Sequence, residues 1–256
     1  MAAMEPLHTD SRPFAPRFCP GEPMERAAFL SELAAVLLPL RPDSRLLVAI
    51  DGVDGAGKTT FADELAGVLG GAGDGPQRRI LRVTIDAFHN VRSVRYRRGR
   101  RSPEGFWRDS YNLEQFTEYA LEPLASGAAW FRNQGHDLAT DAVLDPEPVM
   151  AAKDAVVLID GLFLHREELR NFWDFSVFLA VPFEVTASRM AARDGTGAGA
   201  RQAGAANPGE ERYVGGQRLY FAAEDPAARA DLVLDNSRAG TLRVINGSDA
   251  GYRKRG

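Results

Sequence analysis

Leu46-Leu47-Val48-Ala49-Ile50, followed after one residue by Gly52-Val53-Asp54-Gly55-Ala56-Gly57-Lys58-Thr59-Thr60, is the stretch that decides the fold. Five consecutive apolar residues ahead of a glycine-rich turn read as a strand buried on both faces of a parallel sheet. The turn has Walker A spacing: its glycines let backbone N–H groups converge on phosphate oxygens, Lys58 reaches the outer phosphates, and Thr59 offers a hydroxyl to magnesium. A helical pattern runs from Lys58 to about Leu69, so its free amino-terminal N–H groups and dipole face the same anion. With this composition a chance match anywhere in the chain has a probability on the order of 0.002. The expected phosphate cradle is Gly52, Gly55, Ala56, Gly57, Lys58, Thr59 and Thr60. Lys58 is one of 3 lysines, with Lys153 and Lys254, against 28 arginines, so a chain that elsewhere uses arginine for positive charge has lysine here.

Outward from this point the strand-then-helix rhythm repeats. Apolar residues from Glu25 to Leu40 recur at helical spacing and predict an amphipathic first helix. Further strands are expected at Ile80–Ile85, Ala155–Ile159, Phe175–Val181 and Ala230–Leu234. Further helices are expected at Leu113–Leu124, Arg166–Phe172, Glu184–Arg193 and Glu210–Ala223. Such alternation implies an α/β fold, an open parallel sheet flanked by helices, with ligands at the carboxyl ends of the strands. Two segments break the rhythm: the arginine-dense Val91–Asp109 and the glycine- and alanine-rich Asp194–Gly209. The second reads either as an inert linker or as a mobile lid over about 194–212, and the lid is the expectation.

A chain of 256 residues supports one substantial core, and a single domain over 24–256 is expected behind a proline-rich arm at 1–23, which holds 5 prolines. Its formal net charge of -4 gives no global reason to invoke nucleic acid or membrane. The longest greasy stretch, Ala27–Leu40, falls short of the roughly 20 apolar residues that span a bilayer, and the arm does not read as a secretory signal. The lone Cys19 excludes an internal disulfide and a thiolate zinc cluster. A cytoplasmic location follows as the expectation.

Phosphate binding by itself does not separate a kinase from a GTPase, a motor or a switch. A carboxylate at a neighbouring strand end, placed to take the proton of an attacking alcohol, does. Asp86 ends the strand Leu81–Ile85 and is followed by Ala87, Phe88 and His89; the alternative is that it merely caps a turn. Val156-Val157-Leu158-Ile159-Asp160-Gly161 reads as a second nucleotide motif, in which Asp160 holds magnesium through water or, alternatively, marks an ordinary Asp-Gly turn.

Together, Gly57-Lys58-Thr59-Thr60 and Asp86-Ala87-Phe88 resemble the uridine kinase family of P-loop small-molecule kinases, a similarity that extends patchily from about Leu46 to Asn236 and includes Ser102–Phe106 and Trp107–Tyr111. The resemblance implies a P-loop NTPase fold of the nucleoside and nucleotide kinase type, ATP and Mg2+ as cofactors, and transfer of the γ-phosphoryl group to a hydroxyl of a nucleoside-like molecule, uridine or cytidine first. By the same carry-over Asp86 is the catalytic base, Asp109 binds the ribose hydroxyls, His89 lies on the substrate side, and Phe131 and His136 flank the base. Lys58, Arg189 and Arg193 act on the transferring phosphoryl group, and Thr59 and Asp160 hold the metal. Two departures bear on the substrate: Asp54-Gly55-Ala56-Gly57-Lys58 is closer to thymidylate kinases, and Phe131 stands where a tyrosine hydroxyl would contact the substrate.

Seven arginines between Arg92 and Arg108, interleaved with Tyr96 and Trp107, would suit RNA if read alone. Behind a base-bearing strand they read instead as acceptor-side charge and solvated surface. Arg189, Arg193 and Arg212 bracket the lid, and the resemblance implies that lid arginines lie over the transferring phosphoryl group and offset transition-state charge. The competing functions are a kinase for another small alcohol, such as pantothenate, a sugar or a nucleoside natural product, and a nucleotide-dependent switch or RNA-binding NTPase. The expected partner is a small-molecule alcohol; homo-oligomerisation is left open.

Overall fold

The computed structural model describes residues 18–71, 78–193 and 208–252. In chain order its strands are β1 (Met24–Glu25), β2 (Leu46–Gly52), β3 (Ile80–Thr84), β4 (Trp130–Phe131), β5 (His136–Asp137), β6 (Ala142–Val143), β7 (Val149–Met150), β8 (Val156–Asp160), β9 (Phe175–Ala180), β10 (Leu232–Asp235) and β11 (Thr241–Val244). The helices are α1 (Arg26–Leu37), α2 (Lys58–Gly71), α3 (Arg92–Arg95), α4 (Pro103–Asp109), α5 (Leu113–Phe116), α6 (Glu122–Ser126), α7 (Phe183–Arg193), α8 (Pro208–Glu224) and α9 (Pro226–Arg229).

Seven strands form one sheet in the order β3-β8-β2-β9-β10-β11-β1. The five from β3 to β10 run parallel, and β11 and β1 close one edge antiparallel. Every residue of β2 is buried, as expected of a central strand covered on both faces. Its register sets Ile50 opposite Asp160 of β8 and Val177 of β9, so the turn after β2 opens between two other strand ends. Local capping fixes where helices begin: Glu25 accepts from the Ala28 N–H at 2.8 Å, and Ser102 from the Gly105 N–H at 3.0 Å with Pro103 in the first turn.

The expected strands and most expected helices are present, with shifted ends. β3 stops at Thr84 because the Thr84 hydroxyl accepts the Asp86 N–H at 3.3 Å and starts a 3-10 turn over Ile85–Phe88. Leu113–Leu124 is a run of α5, a π turn at Thr117–Leu121 and α6. The helix expected at Arg166–Phe172 is corrected to turns ending in a 3-10 turn at Arg170–Phe172. There the His165 N–H is drawn to Asp51 and Tyr220, and Trp173 Nε1 bonds back to the Leu164 carbonyl at 2.7 Å, so the segment follows the sheet rather than its own helix. Sequence reasoning missed β1, β11 and the two small ribbons β4–β7 and β5–β6. Most of the lid expected at about 194–212 lies outside the described residues, as do residues 1–17 of the arm. Among the described residues no helix is long and apolar enough to cross a membrane.

Candidate active site

The loop between β2 and α2 turns through left-handed backbone at Gly55 (φ +76°) and Gly57 (φ +85°), conformations that side-chain-bearing residues rarely adopt. A Cβ on Gly55 would also lie 3.1 Å from both Thr186 and Met190 of α7. Lys58 Nζ folds over the loop onto the Val53 carbonyl at 2.9 Å and the Gly52 carbonyl at 3.3 Å. Neighbours hold the loop from outside. Asn236 donates to the Ala56 carbonyl at 2.7 Å, and Gln217 of α8 accepts the Asp54 N–H at 2.7 Å. Arg189 donates to the carbonyls of Asn236 and Ser237 at 2.8 and 3.0 Å. The helices on either side of the expected lid, α7 and α8, thus both touch the phosphate loop.

Directly beneath the loop lies a buried network that sequence reasoning missed. Asp51 Oδ2 accepts from the Tyr220 hydroxyl at 2.6 Å and sits 2.9 Å from His165 Nδ1, while Oδ1 accepts the Gly52 N–H at 2.7 Å. Burial pushes the Asp51 carboxyl up, but His165, Tyr220 and the Gly52 N–H outweigh it and leave the carboxyl below its ordinary range. Burial and the Asp51 charge push the Tyr220 phenol well up. Asp51 lies 114 residues from His165 and 169 from Tyr220 in the chain, so no local spacing ties the three together.

At the metal position the Thr59 hydroxyl donates to Asp160 Oδ2 at 2.8 Å, and Arg82 donates to Oδ1 at 2.7 Å. Hydroxyl and carboxylate are hard oxygen donors of the kind magnesium takes. Among the described residues no three His, Cys, Asp or Glu side chains converge on a metal position. Thr59 and Asp160 therefore suit a cation whose remaining ligands are phosphate oxygens and water.

On the other side, Asp86 is exposed just past β3, and its Oδ1 accepts the Tyr111 hydroxyl at 2.7 Å. Burial, then the Asp86 charge, pushes the Tyr111 phenol well above its usual value, so it stays a donor to Asp86. His89 Nδ1 lies 2.8 Å from the Asp86 carbonyl and its ring stands 4.7 Å from that of Tyr111. Burial lowers the His89 pKa, helped by the charges of Arg95 and His136 and opposed by Asp86. His136 is buried with Nε2 3.2 Å from Asp141 Oδ1, and among the described residues its Nδ1 has no hydrogen-bond partner. Asp141, a non-glycine residue at φ +65°, also takes the Arg92 N–H at 3.0 Å and Arg95 at 3.3 Å.

The structure therefore brings Lys58, Thr59 and Asp160 together, and Asp86, His89 and Tyr111 together. Two expected substrate ligands have protein partners of their own. Asp109 is 1 % exposed, and its two oxygens are held by Arg97 at 2.5 Å and Arg98 at 2.9 Å. Phe131 lies in the hydrophobic core on β4. Arg212 is buried, with its guanidinium on the carbonyls of Arg95, Gly99, Arg100 and Ser102, which ties α8 to the arginine-rich segment. Arg193 ends α7, and its side chain lies outside the described residues.

A profile of the phosphoribulokinase/uridine kinase family matches residues 47–207, more than half of the chain. The uncharacterized protein YggC of Escherichia coli K12 is 26% identical over 224 residues, 84% of each chain. The structure of a possible uridine kinase from Bacillus stearothermophilus superposes with a TM-score of 0.62 at 24% identity, over 81% of this chain and 96% of that one. A "putative fructose transport system kinase" from Silicibacter sp. TM1040 superposes with a TM-score of 0.55 at 23% identity, over 78% and 96%. The fold is that of the α/β P-loop NTPases.

Proposed function

The chain belongs to the phosphoribulokinase/uridine kinase family and is a P-loop phosphotransferase; from that premise we propose that it transfers the γ-phosphoryl group of ATP to a hydroxyl of a nucleoside-like small molecule, uridine or cytidine first. The observation that carries the reading is Asp86, exposed past the end of β3 with one oxygen on Tyr111 and the other, among the described residues, left to accept a proton. In this scheme the acceptor oxygen bonds to the γ-phosphorus as the bond to the β–γ bridging oxygen breaks, ADP leaves, and the hydroxyl proton passes to Asp86. Lys58 offsets charge on the outer phosphates, and Arg189 and Arg193 belong to the lid side of the same site. Thr59 directly and Asp160 through a water would hold Mg2+, which when bound would offset phosphate charge. His89, His136 and Asp109 are assigned to the acceptor side.

A second acceptor class has a specific observation in its favour. With both Asp109 oxygens on arginines and Phe131 in the core, two contacts expected for a nucleoside are already engaged, which favours another small alcohol such as a sugar or pantothenate. A coupled assay of ADP release against nucleosides, sugars and pantothenate decides between them. ADP release that needs uridine or cytidine supports the first reading, and release with a sugar or pantothenate alone supports the second. Release that depends on RNA, or on no acceptor, would sink both.

A further inference from the structure

Arg82 lies on β3 two residues before Thr84, so both side chains leave the same face of the strand. One nitrogen of its guanidinium holds Asp160 Oδ1 at 2.7 Å, and another pairs with Asp63 on the surface of α2. The Thr84 hydroxyl meets the Asp160 carbonyl at 3.2 Å, and the Thr59 hydroxyl takes Asp160 Oδ2 at 2.8 Å. The Asp160 side chain is 2 % exposed and that of Arg82 24 %. Both oxygens of the candidate metal carboxylate are thus occupied, one by a neutral hydroxyl and one by a full positive charge.

These two partners are not equivalent toward a cation. A hydroxyl can turn a lone pair to a metal and leave Oδ2 free for a metal-bound water. A guanidinium has donors only, keeps its charge at any working pH and repels the incoming ion. At this depth the ion pair is weakly screened by salt. Among the described residues no three His, Cys, Asp or Glu side chains converge to hold a metal, so Asp160 is the carboxylate of the candidate site, and Arg82, shared with exposed Asp63, offsets its charge.

We propose that Arg82 is a positioning residue that neutralises Asp160, so that the protein holds a divalent cation only together with the nucleotide's phosphates and not as a free ion. This rests on the phosphotransferase reading above. It makes Arg82 a determinant of how the metal arrives rather than a ligand of it.

The test is Mn2+ binding followed by the loss of the free-ion signal in electron paramagnetic resonance without ADP, and by co-elution of Mn2+ and ADP with the protein in equilibrium gel filtration with ADP. The samples are the wild type, Arg82→Lys, the neutral variants Arg82→Gln and Arg82→Met, and Arg82→Gln combined with Asp160→Asn. The expected result is weak binding of Mn2+ alone by the wild type and Arg82→Lys, and binding at least about tenfold tighter by a neutral variant with native circular dichroism. That gain should disappear in the double variant. A natively folded neutral variant that binds free Mn2+ no tighter than wild type, yet retains Mn2+ with ADP, would reduce Arg82 to a mechanical brace between β3, β8 and α2. If the wild type fails to hold Mn2+ even with ADP, the phosphotransferase reading falls and this inference falls with it.

Discussion

The phosphate half of the site and the acceptor half are built differently. Around the phosphate loop, Lys58 and Thr59 rest on partners they can exchange: Lys58 lies on two backbone carbonyls and Thr59 donates to Asp160. These are the contacts that phosphate and a metal would replace. Around the acceptor, assigned residues sit in networks closed by the protein itself, as with Asp109 on Arg97 and Arg98, and His136 on Asp141, which also takes Arg92 and Arg95. A loop made for an invariant ligand leaves its geometry in the sequence. A pocket made for one particular alcohol is assembled from segments far apart in the chain.

The largest expected effect tests the phosphate half. Lys58→Ala should lower phosphoryl transfer by roughly 1,000-fold, at or beyond the upper end of the usual loss of one charge-stabilising donor. Its melting temperature should stay near wild type, because the lysine braces only two carbonyls that water can serve. Near-normal turnover of the folded variant would remove the phosphate-loop assignment and the comparison with it.

Next in size is Asp86→Asn, expected to lower kcat by about 100-fold while KM for ATP and acceptor moves several-fold at most. Asparagine can still accept from Tyr111 but cannot take the proton. Tyr111→Phe should cost less, about tenfold in kcat, because it removes the orienting bond and leaves the carboxylate. Steady-state kinetics of the pair separates base from support, and equal losses would make Asp86 a structural cap.

Asp109→Ala sharpens the difference between the halves. As a ribose ligand it should weaken ribonucleosides selectively over 2'-deoxy forms, by about 5- to 150-fold. As the anchor seen here, it should lower stability by roughly 1 to 3 kcal/mol and depress turnover of both equally, and this second outcome is the expected one. Chemical denaturation together with the ratio of kcat/KM for the two nucleosides distinguishes them.

What could be read from the sequence follows the same division. The central strand, the phosphate loop and the strand-end Asp86 were legible because short-range spacing and a run of apolar residues specify them. Tyr111, 25 residues beyond Asp86, and the trio Asp51, His165 and Tyr220 were not, because only the fold brings their side chains together. Arg212 and Arg82 show the limit most plainly. One arginine bonds to carbonyls and the other to a metal-site carboxylate, and nothing in their local sequence separates them from the solvated arginines nearby.

The smallest effect concerns His89, which meets the Asp86 carbonyl and packs against the Tyr111 ring. Its pKa in the folded protein is lowered, first by burial, so near neutral pH the ring is uncharged beside the Asp86 carbonyl. In the unfolded chain the same ring titrates near about 6.5. Below that value the unfolded state takes up a proton that the folded state refuses until its own lower pKa is reached. The stability His89 contributes is therefore fully present above about pH 6.5 and is lost as pH falls through the folded pKa, at a rate of at most about 1.4 kcal/mol per pH unit. The depressed carboxyls of Asp51 and Asp141 act in the same direction, from the ordinary carboxylate range downward, which lies below the interval in which the His89 loss begins. Denaturation midpoints between pH 7.5 and 5.5 should fall more steeply for wild type than for His89→Asn, which keeps a donor for the Asp86 carbonyl but has no proton to gain. Parallel slopes for the two proteins would place the acid sensitivity elsewhere and leave His89 as a packing partner of the Tyr111 ring.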